Sequence, residues 1–158
     1  MHAQVNILNL SENHWFYNDL KGNILFLVER KDLKDGKKKI SPYSCYENNQ
    51  GEKIYKNNLR DLVDRPLLYL QETIKHKNII IVEGEKTCDA ANRLIQKEKL
   101  KDFFATTWSF GTNSVNKTDF KTLFKKNIYL LPDNDQCGKS AMREVANLLD
   151  GSNKIKML

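Results

Sequence analysis

Residues 78–86 read NIIIVEGEK, an apolar run that passes directly into two carboxylates separated by one glycine. Residues 127–135 repeat the arrangement as NIYLLPDND. Each apolar run has the length and composition of a strand covered on both faces, as in a parallel sheet. Glu83, Asp133 and Asp135 would then converge at the carboxyl ends of neighbouring strands, where they repel one another unless a cation or a proton separates them. A hard divalent metal that handles phosphate is the hypothesis that this pattern favours.

Strands and helices alternate throughout the second half of the chain. The pattern predicts strands at Asn78–Val82, Phe103–Trp108, Asn127–Leu131 and Lys154–Leu158. It predicts helices at Lys86–Gln96, Asp119–Phe124 and Lys139–Leu149. The crossovers are long enough for right-handed parallel connections, and ligands of such sheets bind beyond the carboxyl ends of the strands. Both acidic clusters follow strands at that edge.

The first half of the chain has the turn signals and strand composition of an antiparallel sheet. Segments 14–17, 24–30 and 39–43 resemble strands, and the turn at 48–51 indicates a further hairpin. A short helical pattern follows Arg65 and Pro66. We therefore predict two domains, a small β-rich amino-terminal subdomain at residues 1–77 and an α/β domain at residues 78–158.

Composition excludes several classes of protein. The 158 residues are 40% hydrophobic and 29% charged, as in a globular protein, and the longest apolar runs are too short to cross a bilayer. No secretory signal is visible at the start, so a cytoplasmic location is expected. Three cysteines support neither a disulfide framework nor a zinc ribbon. The net charge of +6 divides evenly between the two halves and leaves a solvated lysine-rich surface and a nucleic-acid-binding patch as open alternatives.

Three glycines make the acidic pattern more specific. Gly84 follows the first acid, Gly111 lies in the central loop, and Gly138 follows the Asp-x-Asp pair. In this order and spacing, residues 78–150 resemble the Toprim domain, which is shared by primases, type IA and type II topoisomerases and some nucleases. The resemblance implies a Toprim-like, Rossmann-like parallel sheet flanked by helices. A segment that begins Glu-Gly-Glu-Lys and ends Pro-Asp-x-Asp is most similar to DNA primases of phages and mobile elements, often fused to a helicase.

The resemblance implies a metal-dependent site at the two acidic clusters. It assigns catalysis to Glu83, Asp133 and Asp135, and it adds Glu85 to these three as a ligand of Mg²⁺ or Mn²⁺. Other interpretations stay open for each residue. Glu83 could form a plain salt bridge, Glu85 could complement the dipole of the following helix, and the Asp-Asn-Asp turn could cap the helix at Gly138.

Basic and aromatic residues near these motifs are candidates for contacts with nucleotide or template. Lys86 and Lys139 each stand beside an acidic cluster and either contact phosphate or are ordinary surface lysines. The resemblance alone suggests Arg30, Arg60 and Arg65 for binding nucleotide or nucleic acid. Trp108 either stacks on a base or packs at the end of a strand. The histidines, at positions 2, 14 and 76, lack the spacing of metal ligands.

The function expected from the resemblance is nucleotidyl transfer, with RNA primer synthesis from nucleoside triphosphates on a single-stranded DNA template. A replicative helicase is the expected protein partner. Neither a zinc-ribbon Cys/His set nor a phosphate-cradling motor motif occurs in the sequence, so the expectation is a primase core. Two alternatives remain, namely a Toprim-type metal-dependent nuclease and a non-catalytic primase remnant that binds nucleic acid or a helicase.

Overall fold

The computed structural model describes residues 4–5, 10–59, 62, 64–150 and 154–158. Two compact units make up the chain, Met1–Leu62 and Val63–Leu158. The division lies ahead of the domain boundary after residue 77 that we expected, and the helical segment after Pro66 belongs to the second unit. Arg60 and His2 lie outside the described residues. No helix in the described part of the chain is both long enough and apolar enough to span a membrane.

An antiparallel five-stranded sheet forms the first unit. Its strands are β1 (Gln4–Val5), β2 (His14–Asn18), β3 (Ile24–Asp32), β4 (Lys38–Glu47) and β5 (Lys53–Lys56), in the spatial order β1-β5-β4-β3-β2. The strands predicted at 14–17, 24–30 and 39–43 are confirmed, as is the hairpin through 48–51. Alternation along the strands places Leu27, Tyr43 and Tyr55 together in a buried cluster.

A parallel four-stranded sheet forms the second unit. Its strands are β6 (Asn78–Val82), β7 (Phe103–Thr106), β8 (Asn127–Leu131) and β9 (Lys154–Met157), in the order β7-β6-β8-β9. The helices are α1 (Leu70–Thr73), α2 (Glu85–Lys97) and α3 (Gln136–Leu149). Two 3₁₀ helices, Thr112–Lys117 and Lys121–Leu123, connect β7 to β8. The parallel sheet flanked by helices agrees with the predicted fold class.

In the second unit, the local structure differs most from the prediction in three places. Strand β7 ends at Thr106, because Thr107 already turns towards the end of β6 and its hydroxyl accepts the Gly84 N–H. The segment at Asp119–Phe124 forms only a 3₁₀ turn. Helix α3 begins three residues earlier than expected, at Gln136, since the side chain of Asp135 caps its amino terminus.

The core of the second unit sets the position of the two central strands. Ile79 and Ile81 of β6 are fully buried, as is Leu130 of β8, and they pack in one cluster with Met142 and Val145 of α3. Burial of a side chain of this size stabilises the fold by about 1.5–3 kcal/mol. This packing holds β6 and β8 in a register in which Val82 lies beside Leu131. The residues that follow these two strands therefore leave the sheet side by side.

Candidate acidic site at the carboxyl ends of the parallel strands

Glu83 and Asp133 meet where β6 and β8 end. The Asp133 backbone N–H donates to Glu83 Oε1 at 3.0 Å, across 50 residues of sequence. Glu83 is half-buried and Asp133 is exposed, so one carboxylate lines the base of the site and the other faces solvent. The contact follows from the parallel register of β6 and β8, which aligns the two strand ends. The structure thus brings together the two acidic motifs that the sequence separates.

Asp135 has a structural role at the same edge. It is the amino-terminal cap of α3, and its Oδ1 accepts the Gly138 N–H at 2.7 Å. This is the capping interpretation that remained open from the sequence, and it applies to Asp135 rather than to Asp133. A cap of this kind typically contributes about 1 kcal/mol to stability. Asp135 therefore fixes the start of α3 beside the acidic pair.

Gly138 is required by the close approach of Glu83. A Cβ atom added at Gly138 would lie 2.2 Å from Glu83 Oε1 and 3.1 Å from the Asp133 backbone nitrogen. No real pair of such atoms lies so close, so a side chain at position 138 would displace the Glu83 carboxylate. The sequence pattern identified Gly138, but only the structure shows that Glu83 is the residue that approaches it. Gly138 therefore belongs to the packing of the acidic site.

The electrostatics of the site oppose the ionised form of Glu83. Its pKa is raised, first because burial penalises the charged carboxylate and also because the negative charges of Asp133 and Asp135 are close. The hydrogen bond from the Asp133 N–H acts in the opposite direction but does not cancel these effects. A bound cation or a proton on Glu83 would relieve the repulsion. The pair is thus placed to hold one or the other.

The acidic site offers few protein ligands to a divalent metal. Across the described residues, no three His, Cys, Asp or Glu side chains form a cluster ready to hold a metal ion. Mg²⁺ does not need such a cluster, since it commonly uses one or two carboxylates together with waters and substrate phosphates. Glu83 and Asp133 supply donors of that kind. The residues therefore fit a Mg²⁺ or Mn²⁺ ion that is completed by substrate.

Glu85 and Gly84 occupy the start of α2. Glu85 is the first residue of the helix, where a carboxylate complements the helix dipole. Gly84 has φ 81° and ψ 151°, a conformation that side chains with a Cβ rarely adopt, and its N–H donates to Thr107 Oγ1 at 3.0 Å. Thr107 is fully buried. It was missed in the sequence because a single threonine after a strand carries no distinguishing pattern.

Trp108 is a core residue. Its side chain is 2% exposed, and its indole N–H donates to the Gly111 carbonyl at 2.8 Å. The packing interpretation is therefore confirmed, and the alternative that Trp108 stacks on a base is wrong, because a ring so completely covered offers no face to a ligand. Gly111 accordingly contributes to the shape of the central loop.

The basic candidates differ in their surroundings. Lys86 and Lys139 are exposed, and Lys139 Nζ lies 3.4 Å from Asn134 Oδ1 within the Asp-Asn-Asp turn. Arg65 is 6% exposed, contacts Ser114 Oγ at 3.5 Å, and its guanidinium carbon lies 5.3 Å from the centre of the Phe110 ring. Arg65 thus stabilises the central loop of its own unit.

Arg30 lies in the first unit, on β3. It is half-buried and forms an ion pair with Asp32 at 2.7 Å. Its neighbour Glu29 is a buried carboxylate that the sequence did not reveal, with Oε1 accepting the Ser11 N–H at 2.7 Å and Oε2 accepting the Tyr43 hydroxyl at 3.1 Å. Burial acts to raise the pKa of Glu29, but these bonds and nearby Lys31 outweigh it and lower the pKa. Glu29 is therefore an ionised anchor of the first sheet.

The fold of the chain is similar to that of a known protein domain. No protein-family model and no curated protein sequence matches the chain. Among solved structures, it is similar to the primase domain of bacteriophage T7 gp4, with a TM-score of 0.63 and 20% sequence identity over 91% of this chain and 63% of that chain. That structure contains T7 lagging-strand DNA polymerase interacting with primase domains of two gp4 subunits bound to an RNA/DNA hybrid and dTTP. The chain thus spans 63% of the length of its structural neighbour and has the fold of a phage primase domain.

Proposed function

We propose that this chain carries out metal-dependent nucleotidyl transfer as the core of a DNA primase, making RNA primers on single-stranded DNA. The observation that carries this assignment is the pairing of Glu83 with Asp133 at the carboxyl ends of β6 and β8. Ligands of parallel α/β sheets bind at that edge. The fold likeness to a primase domain supports the same assignment. A Toprim identity for residues 78–158 and a cytoplasmic location belong to the proposal.

The surroundings of the acidic residues support a proposed role for each. Mg²⁺ or Mn²⁺ held by Glu83 and Asp133 would neutralise charge on the triphosphate and lower the pKa of the attacking hydroxyl. Glu83 would serve either as one of these metal ligands or as the general base that accepts the proton of that hydroxyl. Asp135 keeps α3 in place through its bond to the Gly138 N–H, and Gly138 leaves space for the Glu83 carboxylate.

The exposed lysines beside the acidic site suit the negatively charged substrates that we propose. Lys86 and Lys139 are exposed beside the two acidic motifs, where ammonium groups can bind the phosphates of a nucleoside triphosphate or of the primer. Single-stranded DNA is the proposed template. A replicative helicase is a proposed partner on the basis of the resemblance to primase-helicase proteins.

The test is incubation of the chain with single-stranded DNA, labelled ATP and the other ribonucleotides in Mg²⁺ or Mn²⁺. Wild type should produce short labelled oligomers, and both Asp133→Asn and Glu83→Gln should reduce their yield by at least a hundredfold, the usual contribution of a positioned acid or base. Glu98→Gln and Asp102→Asn make the same chemical changes at exposed positions outside the acidic site. These two control variants should retain the wild-type yield.

Other products would redirect the assignment. Metal-dependent shortening of the DNA without labelled oligomers, lost in the same two variants, would replace primase by nuclease. The absence of both products would leave a nucleic-acid-binding or helicase-binding remnant and would refute the catalytic proposal. Equal loss in the variants and in their controls would show that the acidic site is not the seat of the chemistry.

A further inference from the structure

The hairpin formed by β3 and β4 carries most of the excess positive charge. We call residues 30–40 the basic arm; it contains six basic side chains, Arg30, Lys31, Lys34, Lys37, Lys38 and Lys39, and two acidic ones, Asp32 and Asp35. Its net charge of +4 compares with +6 for the whole chain. The two halves of the chain have the same net charge, but within the first half the positive charge is concentrated in this arm. Residues 31–40 are all exposed, so the charge is available to a partner.

The arm extends beyond the neighbouring strands of its sheet. Strand β2 pairs with β3 only as far as Glu29, and β5 pairs with β4 only from Ser44 onwards. Within the described residues, the outer part of the hairpin is therefore a two-stranded ribbon, in which Lys31 lies opposite Lys39. Its turn is ordered by hydrogen bonds from the Leu33 N–H to the Lys37 carbonyl at 2.7 Å and from the Gly36 N–H to the Leu33 carbonyl at 3.0 Å.

The charges of the arm are only partly neutralised by the protein. Lys31 lies 3.3 Å from Glu29, and Lys37 lies 3.2 Å from Asp35. Lys34, Lys38 and Lys39 form no ion pair with any residue that the structure describes. Three cations thus remain for an external anion.

The placement of Lys39 opposite Lys31 works against the stability of the hairpin, whereas Lys38 lies opposite Asp32. Like charges directly opposite each other on antiparallel strands are destabilising, and Lys31 and Lys39 occupy such a pair. Lysines do protect the exposed edges of a ribbon from pairing with another chain. Edge protection alone would be served equally well by opposite charges across the strands, which also attract each other. The arrangement is better suited to an anion that lies along the ribbon.

We infer that the basic arm binds the phosphate backbone of single-stranded nucleic acid. The identity of the polyanion rests on the proposed function. The assignment of the binding surface to the arm rests on the charge and exposure of its residues. Lysines are flexible point charges, which suit contacts with phosphates rather than with particular bases. Each phosphate neutralised on a single strand changes the slope of log affinity against log salt by about 0.7. Three unneutralised lysines therefore contribute about 2 to that slope.

The test measures the affinity of the full chain for a labelled single-stranded oligodeoxynucleotide over a series of salt concentrations, without metal or nucleotide. The test variant is Lys34→Gln/Lys38→Gln/Lys39→Gln, and a second variant replaces the same lysines by arginine. The matched control is Lys97→Gln/Lys101→Gln/Lys121→Gln, which removes the same charge from exposed positions of the second unit. The salt slope should fall by about 2 in the test variant alone. The arginine variant should keep the wild-type slope.

The outcomes separate this inference from the proposed function. If the test variant and the matched control lose the same slope, or if neither loses any, the arm is not the binding surface and the inference fails. Primer synthesis by wild type would stand in that case. If the slope falls only in the test variant while no primers are made, the arm binds nucleic acid and the catalytic proposal alone fails. The inference also fails if the test variant keeps the wild-type affinity for DNA but binds an acidic protein less tightly.

Discussion

Replacing Gly138 by alanine tests the geometry of the acidic site directly. The added Cβ would lie 2.2 Å from Glu83 Oε1, so the carboxylate must move and lose the hydrogen bond from the Asp133 N–H. A hydrogen bond to a charged group contributes about 1.5–3 kcal/mol. Alanine in a helix is favoured over glycine by about 0.5–1 kcal/mol, which partly offsets the loss. Gly138→Ala should therefore lower the free energy of unfolding by about 1–2 kcal/mol.

Once the Glu83 carboxylate is removed, Gly138→Ala should either leave the free energy of unfolding unchanged or raise it. In a Glu83→Ala background, the remaining close contact of the new Cβ is the Asp133 backbone nitrogen at 3.1 Å. The helix preference for alanine then offsets this smaller contact, and Gly138→Ala should change the free energy of unfolding by about zero to 0.5 kcal/mol in the stabilising direction. The two positions should thus show a coupling energy of about 1–2 kcal/mol, as neighbouring residues commonly do.

The assay is urea denaturation followed by the fluorescence of Trp108, which is buried in the core of the second unit. All four proteins of the cycle carry Trp15→Phe, because Trp15 lies in the first unit and would add a second signal. A change of 1–2 kcal/mol corresponds to a shift of the midpoint of about 0.5–1 M urea. If Gly138→Ala costs the same free energy with and without Glu83, the close approach of the two residues is not the reason for the glycine.

Three further substitutions test other contacts. Glu83→Gln should raise the melting temperature in the absence of metal, since it removes the repulsion near Asp133 yet retains an oxygen for the hydrogen bond. The proposed metal site further predicts that Mg²⁺ raises the melting temperature of wild type and raises that of this variant less, which thermal-shift measurements test. Glu29→Gln should cost about 2 kcal/mol at neutral pH in denaturant titrations. The pKa of Glu29 is lowered in the folded state, so the ionised carboxylate stabilises the fold above its ordinary pKa. This stabilisation is lost as the pH falls through the pKa of the folded state. An equal cost of Glu29→Gln at pH 7 and in acid would contradict this role. Asn92→Ala should cost about 2 kcal/mol, because the Asn92 amide bonds both the N–H and the carbonyl of Ala105 on β7, whereas Asn116→Ala at an exposed position should cost little.

Much of the second unit could be predicted because its signals are local. The apolar runs at Asn78–Val82 and Asn127–Leu131 became strands with those bounds, since each run has the length and the uniform hydrophobicity of a buried parallel strand. The acids that follow each run could be assigned to one edge, because parallel strands end on the same side of a sheet. The glycine at position 84 could be identified as a turn residue from its place between strand and helix.

Other features of the site depended on tertiary structure. Asp133 and Asp135 are equivalent in the sequence pattern, yet one supports Glu83 and the other caps α3. Trp108 beside a loop could be a stacking surface or a core residue, and only the packing around it decided between them. Glu29 gave no signal, since its partners Ser11 and Tyr43 are 18 and 14 residues away.

The sequence by itself determined most of the strands and helices, their order along the chain and the acidic residues that follow the central strands, because periodicity and residue type act over a few neighbouring positions. The tertiary structure decided which of those ends touch. The contact between Glu83 and Asp133 exists because core packing places β8 beside β6 in a register that no local pattern encodes. A shift of one residue in that register would turn side chains to the opposite face of the sheet and separate the acidic pair.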